Sequence, residues 1–178
     1  MVRRGDPAGA EGLFQKYSAP LLRFADRMLN NRAEAEEVTQ DVFLKMISRV
    51  EQYDGRASVS SWLFAIGANA CRDRLRRTRR APVIALDAIP ERSSGDPSAD
   101  GRIYARERRD AVRRALNRLT EEQREALILA RYHEMPYAEI ARTLEISEGA
   151  VKTRIFRAME TLKEFFSEGD ARWNAVTS

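Results

Sequence analysis

Pro-Tyr-Ala-Glu-Ile-Ala-Arg-Thr-Leu-Glu-Ile-Ser-Glu-Gly-Ala-Val-Lys-Thr-Arg-Ile-Phe-Arg-Ala-Met, residues Pro136 to Met159, reads as two helices joined by a short turn. In the first helix Ile140, Ala141 and Leu144 form an apolar strip, and Ala141 is small enough for a second helix to pack across it. Ile146 plugs the turn, and Ser147 is placed to cap the second helix by accepting a backbone N–H. At about 3.6 residues per turn, Val151, Ile155, Ala158, Met159 and Leu162 fall on one side of that helix. Gly149, Lys152, Thr153, Phe156 and Arg157 fall on the other. The core stripe therefore does not account for Phe156, which stands among groups able to reach phosphates and base edges in a major groove. The pattern is a helix-turn-helix with a DNA-facing surface; the competing reading is an amphipathic helix with one stray exposed aromatic.

The whole chain has 178 residues, enough for one ordinary domain or two small ones. Its formal charge is only +4 although 33% of its residues are charged, so the basic side chains matter through where they cluster. Cys71 is the only cysteine and His133 the only histidine, which excludes an intrachain disulfide and argues against a Cys/His zinc site or a Cys–His nucleophile pair. No catalytic residue, metal or cofactor is expected. The longest weakly polar run, Val59 to Cys71, is too short to cross a bilayer, and no signal-peptide core follows Arg3 and Arg4. The expectation is a cytoplasmic chain that is not an integral membrane protein.

Helical periodicity runs from Ala10 to Leu29, from Arg32 to Val50 and from Ser60 to about Arg77, broken at Asn30-Asn31 and Asp54-Gly55. From Pro82 to about Arg102 the chain collects Pro, Gly and Ser with little apolar periodicity, the composition of a linker. Helical patterning resumes with Val112, Ala115, Leu116 and Leu119, and Thr120 with Gln123 forms a capping-box pattern that starts the next helix. No stretch alternates convincingly as a strand, so the chain reads as all-α, two small helical domains joined by a flexible linker. The residues after Phe166 read as a frayed tail, in which Trp173 is either an isolated exposed residue or a contact made on a partner.

Two further surfaces carry chemistry. The helix Arg32 to Val50 buries Ala35, Val38, Val42, Phe43 and Met46, while its opposite face sets Glu34, Glu37, Gln40 and Asp41 around Leu44. That face is either a protein-binding patch or a solvated acidic surface with one exposed leucine. Farther on, Tyr53, Trp62 and Phe64 lie close to a dense run, Arg72, Arg74, Arg76, Arg77, Arg79 and Arg80. Ala65, Asn69, Arg72 and Arg76 share one stripe, suited to a nucleic-acid backbone with a base nearby. Stacking of unpaired bases on aromatics contributes roughly 1–3 kcal/mol per base, which makes single-stranded DNA the natural ligand. The competing account has the arginines complementing the helix C-terminal dipole and Trp62 and Phe64 in the core, where Phe64 belongs with Cys71 and Leu75.

Taken together these residues resemble the extracytoplasmic-function sigma factors, small bacterial transcription initiation factors, over nearly the whole chain. The resemblance is carried by Ala35-Glu36-Glu37-Val38-Thr39-Gln40-Asp41-Val42-Phe43, by Tyr53-Asp54-Gly55-Arg56 leading to Ser61-Trp62-Leu63 and Asn69, and by Leu119-Thr120 through Arg157. It implies a sigma region 2-like helical bundle over 1–80, a linker over 81–105, a region 4-like helix-turn-helix domain over 106–167 and a tail over 168–178. It implies that Glu37, Gln40, Asp41 and Leu44 dock on the β′ clamp helices of core RNA polymerase, with the β flap as a further contact. Tyr53, Arg56 and Ser58, with Trp62, Asn69, Arg72 and Arg76, would open the minus-ten element of promoter DNA and hold a flipped base. Lys152, Thr153, Phe156 and Arg157 would read the minus-thirty-five element, with Arg154 placed for a phosphate. It further implies a non-catalytic specificity subunit held inactive by an anti-sigma factor.

Two positions depart from common helix-turn-helix usage: Glu145 stands where glycine is frequent, and Arg154 where an apolar residue is usual. A stand-alone DNA-binding regulator is the rival reading, against which the Leu44 patch argues. A nucleic-acid enzyme would need clustered carboxylates or a nucleophile beside a base, and the sequence presents neither.

Overall fold

The computed structural model describes residues 7–80 and 99–169, with side chains over 8–80 and 108–167. The expected linker across 81–98 and the tail from 170 onward, Trp173 included, lie outside the described residues. The first half comprises α1 (Pro7–Leu29), α2 (Arg32–Arg49), a 3-10 turn (Val50–Gln52) and α3 (Val59–Arg80). The second comprises α4 (Ala99–Asn117), α5 (Glu121–Tyr132), α6 (Tyr137–Leu144) and α7 (Glu148–Gly169). All elements among the described residues are helical. Helix α4 begins inside the stretch expected to be linker, because Ala, Arg and Glu soon outnumber the Pro, Gly and Ser that suggested one.

Local chemistry sets the boundaries. Asn30 takes the left-handed conformation that ends α1, φ 54°, which a short amide side chain tolerates. Asn31 then caps α2 by accepting from the Glu34 backbone N–H at 3.2 Å. Thr120 and Gln123 form the reciprocal box at the start of α5: the Gln123 N–H donates to Thr120 Oγ1 at 3.3 Å and the Thr120 N–H to Gln123 Oε1 at 3.1 Å. Ser147 starts α7 by accepting from the Ala150 N–H at 3.1 Å.

Leu21, Phe24 and Met28 of α1 pack with Val38, Val42 and Met46 of α2 and with Leu63, Phe64 and Cys71 of α3, all buried. Each such large side chain contributes about 1.5–3 kcal/mol. The same apolar cluster continues into the second half through Ile128 and Leu129 of α5, Ile140 and Leu144 of α6 and Val151 of α7. A smaller cluster joins α4, α5 and α7 through Ala115, Leu116, Leu119, Leu127, Ala158 and Leu162. Helix α5 is buried at every position from Arg124 to Leu129, because α4 and α7 cover one side and the first half covers the other.

Polar and aromatic side chains complete the contact between the halves. Buried Arg124 donates through Nε to the Leu116 carbonyl at 2.9 Å and through Nη1 to the Met28 carbonyl at 2.8 Å, joining α4 to α1. His133, just past α5, packs against the edge-to-face Phe24–Phe64 pair, with ring centroids 6.1 and 4.6 Å away. The Arg27 guanidinium lies over the Tyr132 ring at 4.1 Å.

In the helix-turn-helix, Glu145 occupies the left-handed C-terminal position of α6 at φ 56° and ψ 43°, and the Ile146 N–H donates back to the Ala141 carbonyl at 2.9 Å. An L-residue there costs roughly 1–2 kcal/mol, partly offset in a Gly variant by the greater entropy of the unfolded chain. Glu145→Gly is therefore expected to stabilise the fold by roughly 0.5–1 kcal/mol, a rise of about 1–4 °C in thermal melts. A lower Tm would show that the Glu145 side chain makes a compensating interaction.

Candidate nucleic-acid and protein interfaces

The outer face of α2 exposes Glu37, Gln40 and Leu44, with Asp41 half-buried at its edge. Leu44 is 65% exposed and Ile47, one turn on, is 53% exposed. Arg74 of α3 reaches across to this face, with Nη1 2.7 Å from Glu37 Oε2 and Nη2 3.8 Å from Asp41 Oδ2. The acids are thereby part-neutralised, and the distinctive feature of the face is its apolar pair. Phe14 adds to it, half-exposed, its ring tilted against that of Phe43 at 4.8 Å. Sequence reasoning missed Ile47 and Phe14, although Gln40, Leu44 and Ile47 follow the i, i+4, i+7 spacing of one helical stripe.

The loop after α2 is built by side-chain to backbone bonds. The Tyr53 hydroxyl donates to the Ala57 carbonyl at 2.5 Å, and the Tyr53 ring lies 4.9 Å from that of Trp62. Asp54 Oδ1 accepts from the Arg56 N–H at 3.0 Å, a local Asx turn, and Gly55 supplies the φ of +75° that the turn requires. The Arg56 side chain stays exposed beside Asp54, at 3.3 Å. Ser58 is the N-cap of α3: its hydroxyl accepts from the Ser61 N–H at 3.0 Å and donates to Ser61 Oγ at 2.9 Å. Trp62 is half-buried, so one part of the indole is anchored in the core and another stays accessible.

Farther along α3, Asn69 is exposed and accepts from Arg72 Nη2, while Arg76 pairs with Asp73. Arg72 also turns toward the second half, with Nη1 3.5 Å from Glu125 Oε2. Next on the same stripe, Arg79 Nη2 lies 2.8 Å from Glu121 Oε1. Helix α3 thus keeps Asn69 and Arg76 on its surface and gives Arg72 to α5.

On α7, Lys152, Thr153, Phe156 and Arg157 all project to solvent, with Phe156 62% exposed. Thr153 Oγ1 donates to the Gly149 carbonyl at 2.9 Å, leaving its oxygen lone pairs outward. Val151, Ala158 and Leu162 are buried behind them, whereas Met159, on the apolar stripe in sequence, is 43% exposed. Arg154 is half-buried and its charge acts on Glu122 and Glu125 of α5, so it stands apart from the other four. No cluster of metal-ligating side chains occurs among the described residues. Burial pushes the Cys71 thiol well above its ordinary range, which leaves it unreactive. No described helix is long and apolar enough to cross a membrane.

An all-helical chain with an aromatic-and-arginine surface in one half and a helix-turn-helix in the other is a DNA-binding transcription protein. Residues 13–81 match the Sigma-70 region 2 family and residues 109–162 the Sigma-70 region 4 family. The chain is 35% identical to the ECF RNA polymerase sigma factor SigM of Mycobacterium tuberculosis over 158 residues, covering 89% of this chain and 77% of the relative. Its fold is shared with CnrH, solved in complex with the cytosolic domain of CnrY (TM-score 0.72, 23% identity, 93% and 92% of the two chains). It is also shared with the Bartonella quintana sigma factor RpoE, solved with the anti-sigma factor NepR (TM-score 0.70, 24% identity, 90% and 98%). The chain belongs to the extracytoplasmic-function family of RNA polymerase sigma factors, which act in transcription initiation.

Buried Glu125 and part-buried His133 titrate in opposite senses. Burial pushes Glu125 up from 4.5 to about 7, with Arg72 and Arg154 drawing it down and Glu122 and Glu121 adding to the rise. The cost of folding around this carboxylate is absent below pH 4.5 and grows as pH rises to about 7. Burial, with the charges of Arg27 and Arg23, lowers His133 from 6.5 to about 4, so its cost is absent above pH 6.5 and grows as pH falls to about 4. Relative to wild type, Glu125→Gln should gain stability as pH rises from 4.5 to 7, and His133→Phe should gain as pH falls from 6.5 to 4. Thermal melts across pH 4–8 check this; variant-minus-wild-type differences that do not change with pH would remove the assignment.

Proposed function

We propose that the chain is the promoter-specificity subunit of a bacterial RNA polymerase, binding the core enzyme, reading minus-thirty-five duplex and capturing the melted minus-ten strand. The observation that carries the reading is the exposed Phe156 among Lys152, Thr153 and Arg157 on α7. A helix of this kind fits the major groove, where an aromatic edge meets a thymine methyl, arginine pairs with guanine, and lysine and threonine reach phosphates or bases. Arg154, turned toward α5, serves at most one flanking phosphate.

In the first half, Tyr53, Arg56 and Trp62 stand at the start of α3, and Asn69, Arg72 and Arg76 line the helix beyond. Aromatic stacking with adjacent amide and guanidinium groups suits an unpaired base and its backbone. Ser58 acts there chiefly by capping α3 and fixing the loop. Glu37, Gln40, Asp41 and Leu44, extended by Ile47, form the patch for the β′ clamp helices, and the second half has the β flap as its further contact. An apolar centre ringed by polar groups is the usual anatomy of a protein interface. The chain itself supplies specificity and no catalytic group. It works in the cytoplasm, and an anti-sigma factor restrains it, as NepR is bound to the RpoE of similar fold.

In transcription with core enzyme on a genomic fragment library, Phe156→Ala with Arg157→Ala should lower promoter-specific product about 10- to 100-fold while leaving core affinity unchanged. Asp41→Ala with Leu44→Ala should weaken core binding. Trp62→Ala should slow open-complex formation more on duplex promoters than on pre-melted ones. A pull-down in which the α7 double variant loses core polymerase would contradict the assignment of that face to DNA.

A further inference from the structure

Tyr53 is tied at three points. Its backbone N–H donates to the Val50 carbonyl at 3.3 Å, which closes the 3-10 turn after α2. Its ring lies on that of Trp62 at 4.9 Å, with the two planes 33° apart. Its hydroxyl carries the only donor of the side chain, and that donor is used on the Ala57 carbonyl at 2.5 Å. The Ala57 carbonyl precedes the Ser58 cap and so lies outside the helical ladder of α3. The bond therefore closes the loop on itself, from Tyr53 at one end to Ala57 at the other, around the Asx turn at Asp54.

Trp62 differs from Tyr53 in this respect. It is half-buried, yet its indole N–H meets no acceptor among the described residues. An accessible part of an indole with a free N–H is what an unpaired base can use, by stacking and by a base oxygen accepting from the donor. We propose that Tyr53 is a positioning residue for minus-ten capture: it holds the Ala57 carbonyl and the Trp62 ring, not the strand, and so sets the loop and the indole in the arrangement that receives an unpaired base. The inference rests on the reading of this loop and Trp62 as the minus-ten surface.

The hydroxyl reaches Trp62 through the backbone as well as through the ring. Trp62 sits in the first turn of α3, its N–H donating to the Ser58 carbonyl at 3.0 Å, so the direction of the indole follows the position of Ser58. Ser58 in turn follows Ala57, its chain neighbour, which the Tyr53 hydroxyl holds. Without that bond only the Asx turn and the Ser58 cap restrain the stretch, and it contains Gly55, the residue type with the widest backbone freedom. A loop that adopts the competent arrangement only about one time in five to ten captures a strand roughly five- to tenfold more weakly, with every contact to the strand intact. Phenylalanine at this position keeps a ring for Trp62 and removes only the hydroxyl, so Tyr53→Phe isolates the proposed role.

The test uses the full chain assembled with core polymerase. Fluorescence anisotropy reports binding to a labelled promoter fragment recovered from the library transcription and mismatched across its minus-ten segment, so that it is already melted. Tyr53→Phe is expected to weaken capture about five- to tenfold. Trp62→Leu, which keeps an apolar side chain against the core, should weaken it too. In the Trp62→Leu background Tyr53→Phe should add less than about twofold, because a residue acting through Trp62 has nothing left to position. Multiplication of the two separate effects would show Tyr53 touching the strand directly and overturns the proposal, as does wild-type capture by Tyr53→Phe. A second readout needs no DNA: with fluorotryptophan at Trp62 and Trp173, the fluorine resonance of Trp62, assigned with Trp173→Phe, should shift or broaden in free Tyr53→Phe. An unchanged resonance also overturns the proposal. If Trp62→Leu fails to fold, this resonance and the affinity of Tyr53→Phe decide. The two readings fail separately: wild-type capture by folded Trp62→Leu removes this surface as the minus-ten reader and the proposal with it. Weakened capture by Trp62→Leu beside wild-type capture by Tyr53→Phe removes only the positioning role.

Discussion

Arg124 is the residue through which the two halves take their mutual arrangement. It donates to Leu116 near the end of α4 and to Met28 near the end of α1, where carbonyls run out of intrahelical donors. A cation at those positions also meets the negative ends of two helix dipoles. Burial lowers the pKa of Arg124, the signature of its desolvation, but a guanidinium does not discharge in a protein, so its donors must be used. Withdrawing either carbonyl leaves a buried charge under-bonded, a loss on the order of several kcal/mol. The placement of α5 follows from this double attachment, and with it the positions of Glu121, Glu125 and His133.

Consecutive residues of α5 thus carry opposite grades of satisfaction. Arg124 has two short bonds to carbonyls, while Glu125 has one long ion pair and no hydrogen bond. The first gives the contact its register, since only one docking serves both carbonyls. The second limits how favourable the contact becomes. Neither property would arise from the apolar cluster alone, which is non-directional and tolerates alternative packings.

The features legible in the sequence are those decided within a few residues. The helix-turn-helix could be read because Ile140, Ala141, Leu144, Ile146 and Ser147 act on neighbours in the same segment, and the Thr120–Gln123 box is complete within one turn. The buried stripe of α2 and the exposure of Leu44 and Phe156 follow from periodicity against a single core. Periodicity fails where a helix has two covered sides. On α5 it cannot say that Arg124 faces α1 and α4 while Glu125 faces α3, because those partners are distant in sequence. The same limit hides the turn of Arg72 away from solvent and of Arg154 toward α5. Ser58 could be read as a DNA contact because a serine before a helix is chemically both a cap and a polar ligand; the bond from the Ser61 N–H shows the first use. Ile47 lies on the same stripe as Gln40 and Leu44 and is legible from periodicity alone, without any charge to mark it.

The two surfaces proposed to read DNA owe little to the contact between the halves. Phe156 and its neighbours are backed by Val151, Ala158 and Leu162, and the Tyr53–Trp62 pair is held by the Ala57 carbonyl and by the Ser58 cap, all within one half. The geometry of each proposed reader is therefore set within its own half. On the proposed function, a first engagement of either half makes the second intramolecular because the halves are covalently joined, so neither reader needs high affinity alone.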